Sequence, residues 1–180
     1  MVSVAEASAA GIPRRLFVVA ALVTVMLDLI TKLIAEATLL RTPGISVIGD
    51  WFQLRLVYNP GAAFGLHVGP YSRWIFFVIA LVAVVVLARL SRSSPADRFR
   101  QLALGLVAGG AAGNLIDRVR QGYVVDFVDV YWGDWHFWAF NVADAAISVG
   151  VAIIILDLLR PAQAGSSSDM AHESESSSVS

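Results

Sequence analysis

The stretch FNVADAAISVGVAIIIL, residues 140–156, decides the fold class because it is apolar enough to cross a bilayer. Two polar side chains, Asn141 and Asp144, nevertheless lie one helical turn apart near its start. A carboxylate in hydrocarbon costs about 2.5–3.5 kcal/mol even on lenient insertion scales. We therefore expect a spanning helix in which Asp144 is a structural ion-pair member, a proton carrier or one half of a catalytic pair.

The composition of the whole chain indicates the same class. Its 180 residues are 57% hydrophobic and 15% charged, whereas soluble domains are about half apolar and a quarter charged. A net charge of −1 gives no basis for a nucleic-acid partner. The sequence has no cysteine, which excludes disulfides, thiolate metal sites and a cysteine nucleophile. Its three histidines are far apart and form no HExxH motif, so we predict neither a metal nor a cofactor.

Four apolar segments each approach the roughly 20 residues that a spanning helix needs. They are residues 16–35, 74–90, 101–118 and 140–159. We therefore predict an all-α membrane protein with four transmembrane helices, built from residues 14–160. Arginines before the first segment, between the second and third, and after the last place both termini in the cytoplasm by the positive-inside rule. Residues 1–13 are predicted to be a cytoplasmic tail, and the Ser-rich, acidic residues 161–180 a disordered one.

Two segments, residues 41–71 and 119–138, connect the spans on the extracytoplasmic side. In the first, large apolar side chains at every second position from 52 to 58 predict a strand that ends at a Pro-Gly turn. We therefore predict a small extracytoplasmic β-sheet or flap inserted between helices 1 and 2. The second segment is rich in tryptophan, which is typical of anchoring at the membrane–water boundary. His67 and His136 are interpreted as solvated surface residues.

Polar residues in and beside the apolar segments are predicted to lie near one membrane surface. With this topology, Asp28 lies toward the outer end of the first span, and Asn141 and Asp144 lie at the outer start of the fourth. The others lie at the outer end of the third span and just beyond it: Asn114, Asp117, Arg118 and Asp126. Scattered structural residues would have no reason to align at one depth, so we interpret this cluster as the functional site.

Two carboxyl groups are the chemistry that this cluster favours. No serine lies within it and the chain has no GxSxG motif, which argues against a serine nucleophile. Two carboxyl groups at close range cannot both ionise, so one acts as a base toward water while the other acts as an acid toward a carbonyl oxygen. Asp126 and Asp144 are predicted to form this pair, because neither has a basic residue within four positions in the sequence.

The remaining charged residues are interpreted as structural. Asp28 and Lys32 are spaced i, i+4 and can pair on one face of a helix. Asp117 is interpreted as the ion-pair partner of the adjacent Arg118, and the stripe that these two form with Asn114 as a set of interhelical hydrogen bonds. The GxxxG spacing at residues 109–113 predicts close helix packing.

Other functions stay open on these residues alone. The main alternative is a small proton-coupled transporter, since intramembrane aspartate and asparagine also mark ion pathways. Transporters usually contain internal repeats with broken helices near the midplane, and this sequence has no such repeat. A GxGD-type intramembrane protease is not favoured, because the aspartates occur in YVVDF and NVADA. A purely structural membrane subunit would leave the paired carboxyl groups without a role.

The motifs DLITK, NPGAAFG, GGAAGNLIDR, VVDF and FNVADAAI occur in this order across the four predicted spans. In sequence and spacing they closely resemble the lipoprotein signal peptidase family, also called signal peptidase II, over residues 14–160. The resemblance implies an aspartic endopeptidase of the bacterial plasma (inner) membrane. Such enzymes remove the signal peptide of prolipoproteins immediately before a cysteine that carries a diacylglyceryl group.

The resemblance also implies roles for individual residues. Asp126 and Asp144 would be the catalytic pair. The residues implied to bind substrate or to orient the pair are Asn59, Gly61, Asn114, Arg118 and Asn141. The residues implied to support the site are Asp28, Lys32 and Asp117. The implied partners are diacylglyceryl-modified prolipoproteins and membrane lipids, with no nucleic acid, no metal and no cofactor, and the chain is predicted to act as a monomer.

Overall fold

The computed structural model describes residues 4–61, 69–93, 97–133 and 135–159, and of residues 4–13 the backbone alone. Its helices are α1 (Val4–Leu39), α2 (Ser72–Ser93), α3 (Arg98–Arg120) and α4 (Val142–Leu158), with a short 3-10 turn at Gly69–Tyr71 before α2. Its strands are β1 (Ile45–Ile48), β2 (Phe52–Asn59), β3 (Val124–Trp132) and β4 (Trp135–Phe140). The described chain is thus mostly helical, with one small antiparallel sheet.

Three segments within the described ranges are long and apolar enough to cross a membrane: Arg14–Leu39, Gly69–Ser93 and Arg98–Arg120. Helix α4 is also apolar, but with 17 residues it is at the short end of the length that spans a bilayer. Helix α1 begins at Val4, so the predicted tail 1–13 is helical from residue 4. His67 and the predicted tail 161–180 lie outside the described residues.

Helix α3 lies at the centre of the bundle and packs against α1, α2 and α4. This position explains why it is the least apolar of the three candidate spans: 61% of its most apolar window is buried in protein, against 6% for the segment containing α2. A Cβ at Gly109 would lie 2.6 Å from the backbone oxygen of Ala21 on α1, and a Cβ at Gly110 would meet the backbone oxygen of Ala143 on α4. The predicted GxxxG packing is therefore confirmed, and glycine allows close approach on two sides of α3.

Replacement of Gly113 by alanine is expected to destabilise the bundle. The new Cβ would lie 2.5 Å from Oδ2 of Asp28, a fully buried carboxylate that cannot move aside easily. Overpacking of this kind costs about 1–3 kcal/mol. The measurement is the fraction of purified protein that stays monodisperse after heating in detergent, with Ala112→Gly as the control in the same turn of α3. Equal survival of Gly113→Ala and wild type would contradict the expectation.

Helices α3 and α4 are antiparallel along most of their length. Arg100, near the start of α3, forms an ion pair with Asp157 near the end of α4, with 2.8 Å between Nη2 and Oδ2. At the opposite end, Nδ2 of Asn114 on α3 donates a hydrogen bond to Oδ1 of Asp144 on α4 at 2.8 Å. The polar residues of the predicted site therefore lie at one end of the helix pair, next to the sheet.

The sheet has the strand order β1-β2-β3-β4, with every neighbouring pair antiparallel. The predicted sheet between helices 1 and 2 is confirmed for β1 and β2, and the strand predicted at residues 52–58 is β2. The prediction is incomplete, because β3 and β4 lie between α3 and α4, in the segment interpreted only as an aromatic anchor. Buried and exposed side chains do not alternate at the start of β3, because Val124, Val125 and Asp126 are all buried. Its pairing with β2 places Asn59 opposite Val124, close to Asp126.

Candidate active site

Two separate elements bring Asp126 and Asp144 to one place. Asp126 lies on β3 and is 1% exposed. Asp144 lies in the first turn of α4, where Asn141 is the N-cap. Asn141 and Asp144 form a capping box. The backbone N–H of Asp144 donates to the Asn141 side chain at 2.9 Å, and the backbone N–H of Asn141 donates to Oδ2 of Asp144 at 3.2 Å. The local start of the helix therefore fixes the backbone beneath Asp144.

Asparagine amides hold both carboxyl groups in place. Oδ1 of Asp126 accepts a hydrogen bond from Nδ2 of Asn141 at 2.6 Å, and its Oδ2 accepts one from Nδ2 of Asn59 at 3.0 Å. Asp144 accepts from Nδ2 of Asn114 at 2.8 Å. Asn141 also donates to Oδ1 of Asn114 at 3.1 Å, so the three asparagines and the two aspartates form one connected network.

Lys32 forms the base of this network. Its ammonium lies 2.7 Å from Oδ2 of Asp28 and 2.8 Å from Oδ2 of Asp117, and it donates to Oδ1 of Asn114 at 3.0 Å. Both lysine-bound carboxylates also accept backbone N–H groups, from Ala143 of α4 at 3.0 Å for Asp28 and from Val125 of β3 at 3.2 Å for Asp117. One buried cation therefore connects α1 and α3 to the two elements that carry Asp126 and Asp144.

The interpretation of Asp117 as the partner of Arg118 is wrong, although its membership of an ion pair is confirmed. Residues i and i+1 of a helix do not face each other, and Asp117 faces Lys32 instead. Arg118 uses its guanidinium to donate to two backbone oxygens, those of Asn114 at 3.1 Å and of Gly61 at 2.7 Å. Arg118 thus connects the segment after β2 to α3, and it also lines a cavity.

A cavity of about 520 Å³ opens beside the two aspartates. Five of the predicted site residues line it: Asn59, Asn114, Arg118, Asp126 and Asp144. Two of the residues implied to bind substrate or to orient the pair do not line it: Asn141 is 1% exposed, and Gly61 is buried and binds Arg118 through its backbone oxygen. Apolar residues of β4 and α4 form most of the remaining wall. The site therefore has a polar end that contains the carboxyl pair and an apolar groove that leads away from it.

The environment of Asp126 favours its protonated form. Burial away from water is the largest cause and the nearby charge of Asp144 the second, and the pKa of this carboxyl is raised from its ordinary value of 3.8 to about 7. The hydrogen bonds from Asn59 and Asn141 stabilise the charged form and lower the pKa, but they do not outweigh burial. A carboxyl group with a pKa near neutrality can exchange a proton under physiological conditions.

A second polar cluster, which the sequence analysis missed, lies on the sheet. Asp129 of β3 has no exposed surface, and it binds side chains from three strands. Arg55 on β2 donates to Oδ2 at 2.7 and 2.8 Å, the Tyr131 hydroxyl donates to Oδ2 at 3.1 Å, and Nε2 of His136 on β4 lies 2.6 Å from Oδ1. The interpretation of His136 as a solvated surface residue is therefore correct only in part: its side chain is 35% exposed, but it binds Asp129 and its ring stacks on Tyr131. No local pattern in the sequence reveals this cluster, because its side chains come from three strands.

Replacement of Asp129 by asparagine is expected to lower the free energy of unfolding by about 1.5–3 kcal/mol, the typical value of a hydrogen bond to a charged group. The substitution removes the charge shared by Arg55 and His136 while it keeps the side-chain shape. Thermal unfolding followed by near-ultraviolet circular dichroism measures the effect, because aromatic rings surround the cluster. Asp50→Asn, at an exposed turn before β2, is the control and should unfold as wild type does. An unfolding temperature unchanged in Asp129→Asn would contradict a stabilising role.

A bundle of membrane-length helices with two carboxyl groups in one cavity defines a membrane protein with a carboxylate site. Comparison with known proteins gives the family. The family model described as Signal peptidase (SPase) II matches residues 20–160, so the chain belongs to the signal peptidase II family, as its motifs predicted.

Named relatives agree with this assignment. The chain is 43% identical over 148 residues to the lipoprotein signal peptidase of Geobacter metallireducens, a match that covers 81% of this chain and 91% of the relative. It is 41% identical over 145 residues to that of Symbiobacterium thermophilum, covering 80% and 94%. Two solved structures of bacterial membrane enzymes have TM-scores of 0.74 and 0.71 at 31% and 33% identity. They cover 85% and 81% of this chain and 93% and 94% of their own chains.

Proposed function

We propose that this protein is an aspartic endopeptidase that removes signal peptides from bacterial prolipoproteins, cutting immediately before the diacylglyceryl-modified cysteine. Membership of the signal peptidase II family supports a peptidase that acts on prolipoproteins. The observation that carries the aspartic mechanism is that Asp126 and Asp144 line one cavity and each accepts hydrogen bonds from asparagine amides.

In this mechanism the two aspartates share one proton and bind a water molecule between them. The ionised carboxylate removes a proton from the water molecule while the water oxygen attacks the scissile carbonyl carbon. The other carboxyl group donates its proton to the carbonyl oxygen. Collapse of the tetrahedral intermediate breaks the C–N bond, and the proton taken from the water passes to the leaving amine. The tetrahedral intermediate carries two hydroxyl groups, and one of them returns its proton to the carboxyl group that acted as the acid. The pair therefore ends the cycle with the single proton that it had at the start.

Asn59, Asn114, Arg118 and Asn141 act around this pair as positioning or substrate-contacting residues. Asn141 and Asn59 hold the Asp126 carboxyl from two sides, and Asn114 holds that of Asp144. Arg118 lines the cavity while it also binds the backbone of Gly61, so it connects the substrate site to the segment after β2. Asp28, Lys32 and Asp117 support the site from below through the backbones of β3 and α4.

We place the protein in the bacterial plasma membrane as a monomer with four spans and both termini in the cytoplasm. Helix α4 is the fourth span: its 17 residues, at about 1.5 Å each, extend for about 26 Å. Arg100 and Asp157 lie at the cytoplasmic end of α3 and α4, and the aspartate pair lies at the outer end. A substrate whose acyl chains stay in the bilayer then presents its scissile bond at the depth of the pair.

Cleavage by the purified chain tests this function directly. The substrate is a prolipoprotein prepared with and without the diacylglyceryl group on its cysteine, and mass spectrometry of both fragments locates the cut. We expect cleavage only of the modified substrate, on the amino side of the cysteine. No cleavage of either form would overturn the proposed function, and equal cleavage of both would overturn the requirement for the lipid.

The transporter alternative has no support from the family match or the relatives. It also fits the position of the polar residues poorly, because they gather at one end of α3 and α4 rather than near the middle of the helices.

The pKa of Asp126 provides a separate prediction. The Asp144→Asn substitution removes the negative charge that is the second cause of the raised pKa of Asp126. The pKa of Asp126 should therefore fall below the wild-type value of about 7. It should stay above the ordinary 3.8, because burial is the largest cause and is unchanged. The carboxyl ¹³C chemical shift of Asp126, followed from pH 4 to 9 in both proteins, measures this. An equal or higher pKa in the variant would show that the two carboxyl groups do not interact.

A further inference from the structure

Strand β4 forms one edge of the sheet, and no described strand lies on its outer side. This strand forms part of the wall of the cavity that contains the aspartate pair. Four successive residues, Phe137, Trp138, Ala139 and Phe140, line that cavity. A strand edge beside a reaction site presents main-chain groups as well as side chains to whatever occupies the site.

The lining residues come from both faces of the strand. The pairing of β3 with β4 has an irregularity that sets Val128 opposite Phe140 but Val130 opposite Phe137, so β4 has one extra residue there. The rings of Phe137 and Phe140 consequently lie 5.8 Å apart on one face, whereas Trp138 lies near His136, 6.0 Å away. Because successive strand side chains point to opposite faces, the cavity meets residues from both faces of β4, and the outer edge of the strand lies between those faces.

The inner side of β4 is held rigidly. His136 binds the buried carboxylate of Asp129, which lies on β3 at the level of the irregularity and is also bound by Arg55 of β2. The edge strand is therefore fixed to β3 by a side chain as well as by backbone pairing, and Asp129 connects it further to β2. A rigid edge loses little conformational entropy when a further segment pairs with it.

The edge leads to the reaction site. The pairing of β3 with β4 ends at Val128 and Phe140, and Asp126 lies two residues further along β3. Beyond Phe140 the chain turns at Asn141 into α4, whose first turn contains Asp144. An extended segment that follows the outer edge of β4 therefore ends at Phe140, which lines the same cavity as the two aspartates.

We propose that the substrate residues preceding the scissile bond bind as an added strand along the outer edge of β4, through main-chain hydrogen bonds. This inference rests on the proposed function and specifies the conformation in which the substrate is bound. Main-chain pairing does not depend on the identity of the substrate side chains. Selectivity for those side chains would then come from the apolar walls of the cavity. The irregularity in β4 limits the pairing to a short segment.

Backbone N-methylation of the substrate tests the added strand. The substrate is a synthetic diacylglyceryl lipopeptide, and one N-methyl group is placed in turn on each of the six residues before the modified cysteine. Alternate N–H groups of a strand point to the same side. We therefore expect KM to rise about fivefold to tenfold at every second position and to change little at the positions between. A uniform effect, or none, would overturn the added strand.

Photocrosslinking tests which edge is used. Trp138→p-benzoyl-phenylalanine places the probe on β4, and Ile45→p-benzoyl-phenylalanine places it on β1 at the opposite edge, at comparable exposure of 51% and 46%. We expect the lipopeptide to be captured from Trp138 alone, and capture from Ile45 at equal yield would overturn the assignment to β4. Failure of wild type to cleave the unmethylated lipopeptide would overturn the proposed function, whereas cleavage without the alternating pattern would overturn this inference alone.

Discussion

Asp126→Asn and Asp144→Asn are each expected to reduce the rate of prolipoprotein cleavage by at least about a thousandfold. General acid–base catalysis by one positioned group contributes about 10²–10⁴ in rate, and in the proposed mechanism each carboxyl acts in two successive proton transfers. Asparagine keeps the size of the side chain but cannot exchange a proton. Both variants should fold, since each replaced carboxyl accepts hydrogen bonds only from amide groups, and the asparagine carbonyl oxygen can still accept one.

The measurement is a single-turnover cleavage rate with excess enzyme, together with an unfolding temperature for each variant. Asp157→Asn is the matched control, because Asp157 lies on the same helix as Asp144 but at its other end, bound to Arg100. This control should keep nearly full activity. Wild-type activity in Asp126→Asn or Asp144→Asn would remove that residue from the mechanism, and an unfolded variant would be replaced by the corresponding alanine substitution and measured again.

Lys32→Met is expected to destabilise the fold more than any other single substitution considered, by about 3–5 kcal/mol. The ammonium is 3% exposed and lies between the carboxylates of Asp28 and Asp117, which are both buried. Methionine fills a similar volume but leaves two buried charges without a cation. Since those carboxylates also hold backbone groups of α4 and β3, loss of the cation should loosen both elements together.

The yield of monodisperse protein and its unfolding temperature measure the effect. Leu33→Met is the control, because Leu33 is the next residue on α1 and its side chain is exposed on the bundle surface. It should behave as wild type. A Lys32→Met protein that is as stable as wild type but inactive would contradict the structural role and would place Lys32 in the chemical step instead.

The helical part of the fold could be predicted from the sequence because its signals are local. A run of about twenty apolar residues identifies a span, and the Gly-rich third segment lies at the centre of the bundle, where glycine lets neighbouring helices approach. The sheet was predicted only in part, because β3 and β4 pair with a strand that lies far away in the sequence. Their aromatic and β-branched residues equally suit a membrane boundary, so composition could not separate the two interpretations.

The structure brings the predicted site residues together in one place, but the partner predicted for one of them is wrong. Asp126 and Asp144 could be selected because each lacks a basic neighbour in the sequence, and that argument uses only local context. The partner of Asp117 depends on the direction of its side chain, and adjacency to Arg118 was a misleading guide. The Asp129 cluster requires three strands to be in register, which no local pattern reveals.

The central claim is that Asp126 and Asp144 together bind the water that attacks the scissile carbonyl. An experimental structure with a diacylglyceryl lipopeptide whose scissile amide is replaced by a hydroxyethylene group tests it most directly, because the hydroxyl takes the position of the attacked carbonyl. The account predicts that this hydroxyl lies between the two carboxyl groups and hydrogen-bonds to both. A hydroxyl that contacts only one of them, or that lies outside their reach, would contradict it.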